Sequence, residues 1–281
     1  MKKIIIFLSL LLALTGCGNQ NTENIKPKVF ASFHVMESMV KEIGADKVEI
    51  TNLTQNGEVH DFEISASQMA ALCDGDLFVY CGGADHWAED IAQTVQNEGC
   101  EVLETSQGIA TNNHDFHIWL DPDMAMEQME KICESLSQIS PQNKDFFEEN
   151  LAQAKDKYLT LKNNMKLIAP KSEGKTIVVS HGAYGYLCEE LGLEQLSIEG
   201  VHGESDPTAS QMAEVIDFAK ENNIKYIFTS PQEASKPAQT VAAETNAEIL
   251  TLDSMECDNG NGGYFEVMDY NLQQISKAIG E

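Results

Sequence analysis

Short apolar runs alternate with segments of helical spacing along almost the whole chain. Runs of strand length lie at 28–32, 48–53, 77–81 and 100–103. Helical spacing fills the gaps at about 36–43, up to Leu72, and at 87–97. Ser65 or Ser67 can start the helix that ends near Leu72, because a serine oxygen satisfies a free N–H of the first turn. A further helix is expected over 123–139. Pro141 suits the first turn of the next one, and from there to about Ile168 no glycine or proline intervenes. Phe147, Leu151, Ala154, Tyr158, Leu161, Met165 and Ile168 fall on one stripe of that segment. Its length of about 27 residues makes a rod of roughly 40 Å. After Pro170 the alternation restarts, with strands at 175–180, 225–229 and 249–252 and helices at about 183–191, 210–222, 237–245 and 264–279. No internal repeat stands out. The pattern predicts an α/β fold of two lobes joined by a long helix: an N-terminal lobe over 29–140, the helix over 141–169, and a C-terminal lobe over 170–281.

The N-terminus follows a different logic. Lys2 and Lys3 precede an apolar run over 4–14, the length of a signal-peptide core and too short to span a bilayer. Thr15, Gly16 and Cys17 follow, and the stretch resembles the lipobox of bacterial lipoproteins. That resemblance implies a signal peptide over 1–16, lipid on Cys17, a polar tether over 17–28, and an extracytoplasmic body anchored to the cell membrane. Two or three acyl chains would anchor it stably, where one would hold only marginally.

Charge narrows the partners. The net charge is −27, a field that repels nucleic acid and concentrates cations. All 18 basic residues are lysines. Arginine is the usual fork for carboxylate, phosphate and sulfate, so its absence argues against a receptor for such anions. Of seven cysteines, six remain after Cys17, and no C-x-x-C occurs to make a thiolate cluster or redox pair. Cys73, Cys133 and Cys188 lie in apolar helical patterns and read as small buried hydrophobes.

Three of the seven histidines stand at strand ends or in loops, where α/β folds place their ligands. His60 lies in the loop before the Ser65 helix, His117 opens His-Ile-Trp-Leu-Asp-Pro, and His181 follows the strand at 175–180. Asp253, at another strand end, and Glu256, just beyond, are the candidate fourth group. Three neutral imidazoles and one carboxylate make a four-coordinate shell that suits zinc, whereas manganese prefers more oxygen. Neutral imidazoles are required, so affinity should fall as pH drops through about 6.5. Asp61, Glu63 and Asp121 are candidates to orient the rings. No H-E-x-x-H or related hydrolase motif appears, which argues for a binding protein over an enzyme.

His60-Asp61-Phe62-Glu63, His117-Ile118-Trp119-Leu120-Asp121-Pro122 and His181-Gly182-Ala183-Tyr184-Gly185-Tyr186 resemble the signature segments of metal-binding receptors of bacterial ABC importers, the cluster A-I group. The stretch Tyr-Phe-Glu-Val-Met-Asp-Tyr-Asn-Leu from Tyr264 is similar to their C-terminal helix. The resemblance implies two Rossmann-like lobes with metal held between them, and a monomer that docks to a permease driven by a cytoplasmic ATPase. It implies His60 and His117 as ligands from the first lobe and His181 from the second. Manganese receptors of the group carry glutamate where His181 stands, so zinc is the expected cargo, with manganese or ferrous iron as the alternative. Asp253 matches an aspartate used by several members and Glu256 a glutamate used by some zinc-binding lipoproteins; the zinc resemblance favours Glu256. Many zinc receptors carry a long His-rich loop before the His-x-Trp segment, but the stretch here is short and holds only His114.

Overall fold

A computed structural model describes residues 26–55, 59–111, 115–200, 207–231 and 235–280. The signal peptide, Cys17, most of the tether, His114 and His202 lie outside the described residues. The first lobe alternates β1 (Lys28–Ala31), α1 (His34–Gly44), β2 (Glu49–Asn52), α2 (Ala66–Cys73), β3 (Leu77–Tyr80), α3 (His86–Asn97), β4 (Glu101–Glu104) and α4 (Pro122–Ile139). Its four strands are parallel in the order β2-β1-β3-β4. The second lobe repeats the series with β5 (Thr176–Val179), α6 (Gly185–Leu191), β6 (Glu194–Ser197), α7 (Ala209–Glu221), β7 (Tyr226–Thr229), α8 (Lys236–Thr245), β8 (Glu248–Thr251) and α9 (Tyr264–Ile279). Its order, β6-β5-β7-β8, is the same one again.

Two expectations are corrected here. β6 has no counterpart in the sequence reading: three of its four residues, Glu-Gln-Leu-Ser, are polar, and none is fully buried. The chain also carries an internal repeat. Ser65-Ala66-Ser67-Gln68-Met69-Ala70 opens α2, and Thr208-Ala209-Ser210-Gln211-Met212-Ala213 opens α7. Both are capping boxes, in which a hydroxyl and a glutamine answer each other's backbone N–H groups. Gln68 N donates to Ser65 Oγ at 3.3 Å and Ser65 N to Gln68 Oε1 at 3.1 Å. Gln211 N donates to Thr208 Oγ1 at 3.3 Å and Thr208 N to Gln211 Oε1 at 2.9 Å. Each box follows the second strand of its sheet, so one supersecondary unit is used twice.

Strand side chains alternate between two faces, and this decides where the core runs. Val29, Ala31, Leu77 and Val79 from the first sheet share one hydrophobic cluster with Ile177, Val179 and Phe228 from the second. Phe30, Phe78 and Tyr80 point to the outer face of their sheet, and Val178 and Ile227 to the outer face of theirs. The joint cluster is threaded by α5 (Lys144–Ser172), a helix of 29 residues and roughly 43 Å. Its stripe lies in that cluster, with Phe147, Ala154, Leu161 and Met165 buried and Leu151, Tyr158 and Ile168 packed beside them. Lys162 of α5 bridges Asp123 of α4, at 3.1 Å, and Glu190 of α6.

α5 runs three residues past the expected boundary at 169, through Pro170. The last carbonyls find donors: Ser172 Oγ reaches Ile168 O at 3.2 Å and Glu173 N reaches Ala169 O at 3.2 Å. The carbonyl that loses its i+4 partner to Pro170 is that of Lys166, an exposed residue. No disulfide forms among the described residues; Cys133 and Cys188 are buried, whereas Cys73 is half-buried.

A core shared between the lobes predicts one cooperative transition. Phe147→Ala removes a fully buried ring from α5 and should cost about 3–5 kcal/mol. Calorimetry should then record a single transition moved to lower temperature; two separated transitions would mean that the lobes hold independent cores.

Candidate metal centre

His60 follows β2, His117 follows β4, His181 follows β5 and Glu256 follows β8. All four therefore sit beyond the carboxyl ends of parallel strands, two from each sheet. Their donor atoms lie within 4.8 Å of one another. His60 Nε2 is 3.0 Å from Glu256 Oε1, and His117 Nε2 is 3.6 Å from the same oxygen. His181 Nε2 is 3.6 Å from Glu256 Oε2 and 3.2 Å from His117 Nε2. A tetrahedral ion with donors at about 2.0–2.1 Å spaces them about 3.3 Å apart. The four distances above bracket that value.

The imidazoles are oriented from behind. His117 Nδ1 is 2.8 Å from Asp115 Oδ1, whose carboxylate also accepts from His117 N at 2.9 Å. His60 Nδ1 is 2.9 Å from the Ala84 carbonyl. Both contacts are met by a proton on Nδ1, which leaves Nε2 to face the cluster. The turn that carries Ala84 is itself pinned by Asp85, fully buried, which accepts from Cys81 N at 3.0 Å and Gly82 N at 2.7 Å.

The expected orienting residues act elsewhere. Asp121 caps α4, accepting from Asp123 N at 2.7 Å and Met124 N at 3.0 Å, while Asp61 and Glu63 are exposed. Sequence reading missed Asp115 although it stands two residues before His117, a spacing that brings it within reach of Nδ1. The Ala84 carbonyl is a backbone atom 24 residues from His60 and leaves no sequence signal. His86 and His34 do not join the cluster. Neither does Asp253, whose two oxygens are both taken by N–H donors.

Interlobe hydrogen bonds frame the site. Trp119 Nε1 donates to Ser254 O at 2.7 Å, Tyr264 OH to Trp119 O at 2.9 Å, and Tyr186 OH to Asp115 O at 3.1 Å. Gly185 is required for the last approach, because a Cβ there would sit 2.6 Å from Asp115 Oδ2.

Electrostatics hold the cluster together without metal. Burial opposes a charge on His117, but hydrogen bonds and charge from Asp115 and Glu256 outweigh it and push its pKa up to about 9. His60 is likewise raised: burial opposes, and Glu256 wins. Burial would raise Glu256, yet the three histidines hold it well below the usual carboxylate range. His117 therefore keeps its proton well above the pH of about 6.5 expected for an unperturbed imidazole.

Residues 29–278 match the family model for the zinc-uptake complex component A, periplasmic. The chain belongs to this family. Residues 1–17 match the model for a prokaryotic membrane lipoprotein lipid attachment site. The high-affinity zinc uptake system protein ZnuA of Bacillus subtilis is 28% identical over 309 residues, covering 98% of this chain and 97% of that protein. The Zn(II)-bound structure of a mutant variant of Streptococcus pneumoniae AdcAII is 29% identical with a TM-score of 0.83, covering 90% of this chain and 98% of that one. The laminin-binding protein Lmb of Streptococcus agalactiae, described as a bifunctional protein with adhesin and metal transporting activity, is 31% identical with a TM-score of 0.83 over 90% of this chain and 99% of that one. The family fold of two parallel-sheet lobes is the one described above.

The raised His117 pKa has a stability consequence with a definite sign. Its contribution is fully present below the unfolded value of about 6.5 and is lost as pH rises through about 9. The lowered Glu256 pKa describes the acid side of the same ion-pair network, so the two are not added. Metal-free protein should lose roughly 1–3 kcal/mol between neutral pH and pH about 10, with a matching fall in Tm. In His117→Gln that slope should flatten; an unchanged slope would place the titrating group elsewhere.

Proposed function

We propose that this chain is an extracytoplasmic zinc receptor that captures Zn2+ between its lobes and delivers it to an ABC permease powered by a cytoplasmic ATPase. Lipid on Cys17 tethers it to the membrane, and the acidic surface raises the local cation concentration. The ligands are His60, His117, His181 and Glu256. The observation that carries this reading is the convergence of three imidazoles and one carboxylate, their donor atoms all within 4.8 Å and four of the pairs at 3.0–3.6 Å.

The donor set matches the cargo. Three nitrogens and one oxygen suit zinc, and a manganese site would call for more oxygen. Zinc replaces the proton network: Glu256 turns from the histidines to the ion, His117 gives up its Nε2 proton, and Asp115 and Ala84 keep the rings aimed. Four protein ligands leave no open position for an activated water, which favours capture over hydrolysis.

The test is native mass spectrometry with elemental analysis. The soluble body from Gly18 onward is stripped of metal, then offered equimolar zinc and manganese, beside His181→Ala. One zinc per chain is expected in the wild type, with weak or no retention in the variant. Retained manganese would keep the fold and overturn the cargo. No retained metal would overturn the function.

A further inference from the structure

Asp253 stands two residues past the end of β8, is 1% exposed, and belongs to the loop that carries Glu256. Its carboxylate is enclosed by N–H donors. Oδ1 accepts from Met255 N at 2.9 Å and from Asn259 Nδ2 at 2.9 Å, and Oδ2 accepts from Asn261 Nδ2 at 2.9 Å. The Asp253 backbone is fixed as well, because the fully buried Asn271 of α9 pairs with it twice: Asp253 N donates to Asn271 Oδ1 at 2.8 Å and Asn271 Nδ2 to Asp253 O at 2.8 Å. Charge-assisted bonds of this kind are the strong ones, and a carboxylate answered by three donors has little call on a metal.

The same bonds dictate the path of the chain. Met255 has φ of 62°, a left-handed conformation that is strained for a non-glycine residue and persists only where its surroundings hold it. Asp253 Oδ1 holds its N–H, and its side chain is 1% exposed. Gly260 (φ 74°) and Gly262 (φ 102°) then turn the loop back, bringing Asn259 and Asn261 to Asp253. A Cβ at Gly262 would meet Glu266 Cβ at 2.9 Å. The residue following the left-handed Met255 is Glu256, whose Oε2 also accepts from Ser254 Oγ at 2.6 Å.

We propose that Asp253, enclosed by Asn259 and Asn261, is the positioning residue that fixes Glu256 as the carboxylate of the metal centre, and is not itself a ligand. This rests on the zinc-receptor reading above. It assigns the asparagines of Asp258-Asn259-Gly260-Asn261 a role in metal binding although they do not belong to the ligand cluster.

A double-mutant cycle tests it, with zinc affinity read by chelator competition and coordination read by the Co2+ absorption spectrum. Asp253→Asn presents an amide to donors that need an acceptor; Asn259→Ala with Asn261→Ala strips the enclosure and keeps Asp253. Each should weaken zinc about 10–100-fold. Each should also give a Co2+ spectrum like that of Glu256→Gln. Asp253→Asn with Glu256→Gln should bind no more weakly than Glu256→Gln alone, because both remove one contribution. Additive losses would mean that Asp253 acts independently, as a ligand or through global stability, and would overturn the proposal. Wild-type affinity in the asparagine variant would overturn it as well, and that variant carries the test if Asp253→Asn fails to fold. Unchanged zinc binding in Glu256→Gln would instead bring down the zinc-centre reading, a failure visible before Asp253 is touched.

Discussion

One carboxylate among three imidazoles is the contact on which the cleft depends. Glu256 reaches His60 from the other lobe at 3.0 Å, and its charge helps His117 to hold a proton in a buried place. Without that anion, two imidazole nitrogens 3.2 Å apart would face each other across the lobe boundary with little to reconcile them. The arrangement that holds the metal-free lobes together is, with protons removed, the arrangement that the proposed ligation uses. Metal and protons thus compete for one set of lone pairs.

The rest of the fold keeps that geometry fixed. Two copies of one alternating unit point their strand ends at a common cleft, so four loops converge without long insertions. A shared core along α5 and hydrogen bonds from Trp119, Tyr264 and Tyr186 join the copies near the site. A preorganised site loses less ordering entropy when a ligand arrives. The architecture therefore favours capture by small local adjustments over wide rotation of the lobes.

Much of this was legible in the chain. Helices with clear periodicity or caps fall close to where the pattern puts them, and the stripe from Phe147 to Ile168 is the buried face of α5. β6 was not legible, because Glu194 to Ser197 has neither apolar continuity nor alternation. The repeat at Ser65 and Thr208 was written in the sequence but is only six residues long, and the paired topology is what gives it meaning. The histidines stood out because loop positions at strand ends carry ligands in this class of fold. The carboxylate was narrowed by position only to Asp253 or Glu256, and the zinc resemblance rather than the pattern favoured Glu256. The two lie three residues apart, and the physical reason that separates them is where Asn259, Asn261 and Asn271 point. Side-chain hydrogen bonds across 6 to 18 residues have no periodicity to read.

A four-ligand centre of three imidazoles and one carboxylate has a direct signature in X-ray absorption at the zinc edge of the loaded protein. The spectrum should show four nitrogen or oxygen neighbours at about 2.0–2.1 Å, the outer-shell scattering of three imidazoles, and loss of one imidazole signal in His117→Ala. Six light-atom neighbours, or a sulfur neighbour at about 2.3 Å, would contradict it.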